Sequence, residues 1–333
     1  MRIGLIGLGR IGAFHAQTLS DLPAVDSLVV TDAVPAAIVA VSEKVGAEPA
    51  DSPEELLKSG VDGIVIAAAT GAHGALIRAG VQAGVPVFCE KPMSADPAEA
   101  VGIAQFVNDS GVPVQIGYPR RFDPAYAAAR RAVESGELGF VHTVRSTTLD
   151  PTPAPREYIR TSGGLFRDCS VHDFDTVRWL TGREPVEVYS TGSAHGADFF
   201  AEFGDLTSAT TLITFDDGAT AVVSNTRYNA RGHDVRLEVH GVEDSVCAGW
   251  ADYTPLRNLE PGFDWPAGPP AVFFMDRLAE AFRVELSTFA DVVAGMQVSP
   301  CTVDDALAVT WMAEAATLSA REHRPVRIDE VRR

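Results

Sequence analysis

Ile3-Gly4-Leu5-Ile6-Gly7-Leu8-Gly9-Arg10-Ile11-Gly12 stands almost at the start of the chain, and its reading decides the fold. Ile3 to Ile6 predicts a short strand, and Gly12 to Ser20 predicts a helix. Between them, Gly7, Gly9 and Gly12 have the spacing in which one glycine makes a tight turn, one admits a pyrophosphate and one lets helix pack on strand. The helix then turns its unpaired N–H groups and positive dipole end toward the phosphates. Asp32 closes the next predicted strand twenty positions after Gly12, where a carboxylate accepts hydrogen bonds from ribose hydroxyls. Gly7, Gly9, Arg10, Ile11, Gly12 and Asp32 are therefore candidate cofactor-binding residues. Asp32 repels a 2′-phosphate, and Ala33, Val34 and Pro35 supply no cation to bind one, so NAD is expected in preference to NADP.

Outward from this stretch, the first 118 residues alternate short apolar runs with alanine-rich ones. Ile3 to Ile6, Ser27 to Thr31, Gly63 to Ala67, Val85 to Cys89 and Val114 to Ile116 read as strands. Gly12 to Ser20, Ala36 to Val45, Pro53 to Lys58, Ala72 to Ala83 and Pro97 to Asn108 read as helices. Strands this apolar are those buried on both faces, so the pattern predicts a doubly wound parallel Rossmann sheet. After Tyr118 the strands lengthen and alternate. Thr207 to Phe215 and Ala219 to Thr226 flank Asp216-Asp217-Gly218, a hairpin signal. Phe140 to Leu149, Val186 to Thr191 and Val235 to His240 complete an expected open antiparallel sheet. Helices over Pro124 to Ser135, Ser170 to Thr181, Val272 to Ala294 and Val303 to Arg321 would cover one face. Leu259 to Pro270, rich in Pro and Gly, reads as an ordered surface loop. The expected architecture is an α/β NAD-binding domain over residues 1–118 and an α+β substrate-binding and oligomerisation domain over residues 119–333.

Composition narrows the function. The 333 residues suffice for two domains at about 150 residues each. Twenty-seven basic against forty-five acidic side chains give a net charge of −18, which repels nucleic acid and anionic lipid over most of the surface. No apolar run approaches the roughly twenty residues of a membrane span, and no signal segment opens the chain, so a cytoplasmic protein is expected. Cys89, Cys169, Cys247 and Cys301 lack the spacing of a metal site or a disulfide framework and read as small buried hydrophobes.

Two stretches concentrate chemistry. Glu90-Lys91-Pro92 falls at the carboxyl end of the strand predicted over Val85 to Cys89, the edge where parallel sheets bind ligands. Only Lys44, Lys58 and Lys91 are lysines among the 27 basic residues, so an ammonium at this strand end suggests a compact or deprotonatable cation is wanted. The second stretch runs Gly163-Gly164-Leu165-Phe166-Arg167-Asp168-Cys169-Ser170-Val171-His172-Asp173-Phe174-Asp175. At 100° per residue, Asp168, His172, Asp175 and Trp179 share one helical stripe. An enzyme oxidising a carbinol must remove a hydroxyl proton as hydride leaves the carbon. The imidazole of His172 suits that step, Asp168 would orient it, and Lys91 would hydrogen bond the developing alkoxide.

At these residues the chain resembles the Gfo/Idh/MocA oxidoreductases, and among them the inositol 2-dehydrogenases. The resemblance covers nearly the whole length. It rests on the glycine fingerprint, on Thr70 and His73, on Glu90-Lys91-Pro92, on Gly117-Tyr118-Pro119-Arg120-Arg121-Phe122-Asp123, and on Gly163-Gly164 with Asp168 to Asp175. It implies a general base at His172 with Asp168 as its partner and Lys91 in the active site. It adds Thr70, His73 and Glu90 to the cofactor-binding positions and sets Arg120, Asp150 and Asp175 near the substrate hydroxyls. The chain departs from it at Arg231-Gly232-His233-Asp234, where Tyr-Gly-Tyr-Asp is frequent, and at Phe282, near a tyrosine position. His233 is the candidate substrate contact left there.

Together these residues point to NAD-dependent oxidation of a cyclitol such as myo-inositol to the inosose, with no metal. The same machinery serves pyranose dehydrogenases and ketosugar reductases, and a regulator that binds NAD without catalysis is the alternative of another class. An open sheet with one helix-free face needs a cover, so a homodimer or homotetramer through the second domain is expected.

Overall fold

Glycine turns and proline starts set the rhythm of the first 117 residues. The structure, a computed structural model, describes residues 1–332. In order come β1 (Arg2–Ile6), α1 (Arg10–Ser20), β2 (Ser27–Thr31), α2 (Pro35–Val45), β3 (Glu48–Pro49), α3 (Pro53–Lys58), β4 (Gly63–Ile66), α4 (Thr70–Gln82), β5 (Val87–Glu90), α5 (Pro97–Ser110) and β6 (Val114–Gly117). Proline occupies the first position of α2, α3 and α5, where its missing N–H costs nothing, and Ser52 and Asp96 cap the latter two. Gly46 and Gly111 end α2 and α5 in the left-handed conformation that suits glycine.

The six strands are all parallel, in the order β3-β2-β1-β4-β5-β6. This is the doubly wound Rossmann arrangement, whose order reverses between β1 and β4. All four residues of β4 are buried, as are Leu5, Ile6, Val30 and Phe88, which explains why these strands read as unbroken apolar runs. β3 leaves no apolar signature in the chain, since its two residues are both exposed. β5 starts later than expected and carries Glu90 inside the sheet, opposite Gly117.

Farther along the chain stand α6 (Pro124–Ser135), β7 (Val141–Leu149), α7 (Arg156–Thr161), α8 (Val171–Thr181), β8 (Pro185–Ser193), α9 (Phe199–Glu202), β9 (Ser208–Phe215), β10 (Thr220–Thr226), β11 (Asp234–Gly241) and β12 (Ser245–Ala248). They are followed by α10 (Phe274–Arg277), α11 (Ala279–Val293), α12 (Val303–Glu322), β13 (Val326–Arg327) and α13 (Ile328–Val331). β7 to β13 form one sheet in the order β12-β11-β7-β10-β9-β8-β13. The hairpin at Asp216-Asp217-Gly218 forms as expected, with Gly218 at φ 88°. The sheet is mostly antiparallel, but β7 and β10 run parallel, a pairing that the long excursion through α7, α8, β8 and β9 permits.

Two further expectations need correction. The single helix read over Val272 to Ala294 is interrupted at Leu278, which leaves the helical region at φ −110°, ψ 15° and separates α10 from α11. Cys89, Cys169 and Cys301 are buried, but Cys247 is exposed because it lies on β12, an edge strand with one flank unpaired. None of the four cysteines forms a disulfide.

The chain forms two compact units. The first comprises Met1–Pro119 and Glu280–Ala308, and the second comprises Arg120–Ala279 and the chain from Val309. The first therefore takes back a segment that the change of texture after Tyr118 assigns to the second domain. Phe282, Leu286 and Phe289 recur along one stripe of α11, and Leu286 and Phe289 join Ile3, Leu5, Val65 and Phe88 in one core.

Candidate active site

In the first unit, Gly7, Asp32, Thr70 and Lys91 all follow the carboxyl ends of parallel strands, β1, β2, β4 and β5 respectively. Asp32 is fixed there by the backbone. Its Oδ2 accepts the Leu8 N–H at 2.6 Å and its Oδ1 accepts the Val34 N–H at 2.7 Å. The carboxylate thus braces the glycine turn.

The three fingerprint glycines do separate jobs. Gly7 has φ 96°, and a Cβ there would meet the Ala68 nitrogen at 2.4 Å. At Gly12 a Cβ would fall 1.9 Å from the Gly7 carbonyl oxygen, so helix and turn touch only because it is absent. At Gly9 a Cβ would meet nothing within 4 Å, which leaves the exposed start of α1 open to a ligand. Gly9 also provides no side-chain cap that would compete with phosphate oxygens at the start of α1. These residues fit a dinucleotide: Gly9, Arg10, Ile11 and Gly12 would face its pyrophosphate and Asp32 its adenosine ribose.

Thr70 opens α4 and is half-buried, as is Lys91. His73 is buried, with Nδ1 2.8 Å from the Pro92 carbonyl oxygen and Nε2 3.0 Å from that of Ala68. Glu90 Oε1 lies 2.7 Å from Nε2 of His15. Both ring nitrogens of His73, and one carboxylate oxygen of Glu90, thus face the protein itself. His73 thereby ties α4 to the peptide after Lys91, and Glu90 ties the end of β5 to α1.

In the second unit the expected straight stripe does not form. Phe166–Ser170 is a π-helical turn, and α8 begins only at Val171. The wider turn takes Asp168 out of 100° register with His172, a departure no residue count predicts. Asp175, expected on the same polar face, is buried, and Arg121 donates to it from Nε at 2.9 and 3.1 Å and from Nη2 at 2.5 Å. His172 is half-buried in the first turn of α8.

Asp168 is held by two side chains that sequence reasoning does not single out. Its Oδ1 accepts the Tyr158 hydroxyl at 2.7 Å, and its Oδ2 accepts Arg227 Nη1 at 3.0 Å. Arg227 is itself buried and lies 3.5 Å from Asp205 Oδ2. Asp205 Oδ1 accepts the Leu165 N–H at 2.7 Å, clasping the Gly163-Gly164 turn. Burial alone would lower the Arg227 guanidinium, but Asp168 and Asp205 outweigh it and hold it above its usual range.

Asp173 likewise escapes sequence reasoning. Fully buried, it accepts Arg120 Nη1 at 2.9 Å, Ser146 Oγ at 2.5 Å, Thr148 Oγ1 at 2.7 Å and Asn225 Nδ2 at 2.8 Å. It is the bolt between α8, β7 and β10, and it immediately follows His172. Arg120, expected near substrate hydroxyls, is 3% exposed and donates to Asp173 and Thr148.

Asp150, at the end of β7, has Oδ1 3.2 Å from Nδ1 of buried His233. Cys169 lies among these groups. Burial, then the charges of Asp150 and Asp173, push its thiol well up, with Arg227 opposing and Asp168 adding to the rise. The structure thus gathers Asp150, Asp168 and Asp173 around Cys169, and leaves Asp175 paired with Arg121. No cluster of ligating side chains suited to a metal ion occurs among the described residues, and no described helix is long and apolar enough to cross a membrane.

Comparison with known proteins agrees with the fold. Residues 1–118 match the oxidoreductase family with NAD-binding Rossmann fold, and residues 126–247 match the GFO/IDH/MocA C-terminal domain. The chain is 35% identical to the inositol 2-dehydrogenase of Rhizobium meliloti, covering 98% of this chain and 99% of that one. It is 34% identical to the scyllo-inositol 2-dehydrogenase (NAD(+)) of Bacillus subtilis, over 99% and 96% of the two chains. Among solved structures, scyllo-inositol dehydrogenase from Lactobacillus casei with bound NAD(H) and scyllo-inositol superposes with a TM-score of 0.89 at 26% identity, over 99% of each chain.

Proposed function

Because the chain belongs to the Gfo/Idh/MocA oxidoreductase family and carries its NAD-binding Rossmann domain, we propose that it oxidises a cyclitol, myo-inositol or a close relative, to the inosose. The observation that carries this reading is the end-to-end likeness to relatives that act on inositol. NAD supplies the hydride acceptor.

The chain's own residues supply the rest. His172 takes the proton of the reacting hydroxyl, a task suited to an imidazole near neutral pH. Asp168, an acceptor fixed by Tyr158 and Arg227, gives that imidazole a carboxylate partner. Such a partner sets the tautomer and stabilises the imidazolium. Lys91 hydrogen bonds the oxygen as it gains charge. Asp150 and His233 stand as the polyol-binding pair, since the carboxylate accepts hydroxyl protons and is 31% exposed.

A second reading, a pyranose dehydrogenase or ketosugar reductase, draws on the replacement of two phenols by His233 and Phe282. His233 is tied to Asp150, and Phe282 packs on Phe14 and His15, so both positions differ from a free hydroxyl. The experiment is NAD reduction followed with myo-inositol, scyllo-inositol and glucose, and repeated with NADP. Preference for an inositol with NAD supports the first reading, preference for glucose the second, and tight NAD binding with no turnover of any polyol the non-catalytic alternative.

A homo-oligomer built on the second unit's sheet, in the cytoplasm, completes the proposal. Tyr189 and Leu212 face each other across β8 and β9 and are 38% and 44% exposed, an apolar spot that a second copy would cover.

A further inference from the structure

Lys91 lies between two residues that are each held by a buried histidine, and both histidines belong to the first unit. On one flank, His15 of α1 brings Nε2 to 2.7 Å from Glu90 Oε1. On the other, His73 of α4 brings Nδ1 to 2.8 Å from the Pro92 carbonyl oxygen. His15 is 0% exposed and His73 1%.

His15 has little other reason to be polar. Its Nδ1 is buried without a hydrogen bond. Phe14, Phe88 and Phe282 enclose the ring at centroid distances of 6.0, 6.0 and 5.7 Å. A phenylalanine would fill such an aromatic cage without stripping water from two nitrogens and leaving one unsatisfied. What the imidazole gains in exchange is its link to Glu90. On the neighbouring strand, a Cβ at Gly117 would come 3.0 Å from Phe88 Cζ and 3.3 Å from Glu90 Oε2, so its absence leaves room for both side chains. The link also joins α1, the helix opened by the glycine fingerprint, to the strand end that bears the lysine.

We infer that His15 and Glu90 are a positioning pair for Lys91. They fix the end of β5 from which the ammonium acts, while His73 fixes the peptide that follows. The inference rests on the role proposed for Lys91 in the reaction. Neither histidine touches substrate in this scheme, and His15 acts only through Glu90.

The scarcity of lysine makes a direct test practical. Reductive methylation with 13C-formaldehyde labels three lysines, Lys44, Lys58 and Lys91, together with the terminal amine, and Lys91→Met identifies the Lys91 resonance. In His15→Phe, which keeps the cage filled, that resonance moves toward those of the other two lysines. In His15→Gln, which retains a donor at nearly the same reach, it stays near its native position. Glu90→Met probes the link from the other side and moves the same signal with the aromatic cage intact. In kinetics, His15→Phe lowers kcat by about 10- to 100-fold, the scale of a displaced catalytic group, with NAD affinity retained. In a Lys91→Met background the same substitution adds no further loss. An unmoved Lys91 resonance in both His15→Phe and Glu90→Met, or an equal loss of kcat with and without Lys91, overturns the inference. If the wild-type protein oxidises no cyclitol, the functional reading fails by itself, and the resonance still decides the positioning role.

Discussion

Arg227 Nη1 stands 3.0 Å from Asp168 Oδ2, and this pairing pins the π-helical turn to the chain just beyond β10. Tyr158 approaches the other carboxylate oxygen, at 2.7 Å. Asp168 therefore has a donor on each oxygen from a different part of the second unit, which fixes where it can present itself to an imidazole.

Removing Arg227 leaves Asp168 and Asp205 in a buried region without their shared counter-charge. Arg227→Met is expected to destabilise the protein by about 3–5 kcal/mol, the usual cost of breaking a buried ion pair from one side. Denaturant unfolding measures it, and a loss below about 1 kcal/mol shows that the pair behaves like a surface one.

His172→Ala is expected to lower kcat for the preferred polyol by about two to four orders of magnitude, the contribution of a positioned acid–base group. NAD affinity, measured by nucleotide fluorescence, stays near that of the wild type because the glycine fingerprint is untouched. Unimpaired turnover in this variant would falsify the assignment of the base.

Asp32→Ala removes the brace on the Leu8 and Val34 N–H groups along with the proposed ribose acceptor. Hydrogen bonds to a charged group contribute about 1.5–3 kcal/mol, so NAD affinity falls by about 10- to 100-fold and the preference over NADP narrows. Titration of the variant with both nucleotides checks this, and an unchanged NAD-to-NADP ratio removes Asp32 from the choice of cofactor.

Burial, followed by the charge of Glu90, pushes the Cys89 thiol well above its ordinary value of 9.0. A group raised in this way keeps its proton in the folded state while the unfolded chain releases it, so stability is present below about pH 9 and declines above it. Between about pH 8 and pH 10 the wild type is expected to lose about 1.4 kcal/mol more than Cys89→Ala, a difference read from denaturant midpoints at each pH. In native protein, thiol reagents are expected to modify Cys247 first, as the exposed cysteine. Fast labelling of Cys89 or Cys169 contradicts their burial.

Local signals make the dinucleotide half legible. Gly7, Gly9, Gly12 and Asp32 act within a few residues of one another through turn geometry and helix capping, and both leave traces in the order of amino acids. Lys91 stands out for a similar reason, as a lysine in an arginine-rich chain at the close of an apolar strand. The roles of Asp173, Arg227 and Tyr158 are hidden because each depends on contacts between distant segments. Arg120 meets Asp173 across 53 positions, and Arg227 meets Asp168 across 59. Helical counting fails at Asp168 because a π turn leaves no mark in apolar periodicity. It fails at Asp175 because a carboxylate facing a buried arginine looks, in sequence, like one facing water.

The return of residues 280–308 to the first unit bears on how the protein is made. Its core includes Leu286 and Phe289, and Val293 packs against it. Synthesis proceeds from the amino terminus, and domains generally fold as they emerge. Here the leading β-α-β layers leave the ribosome long before the helix that seals them. Until then the apolar surface that α11 covers beside Ile3 and Phe88 stays exposed, the kind of surface that makes partly folded chains prone to aggregate. A gene fragment ending at residue 119 would lack Leu286 and Phe289 and leave that part of the core uncovered.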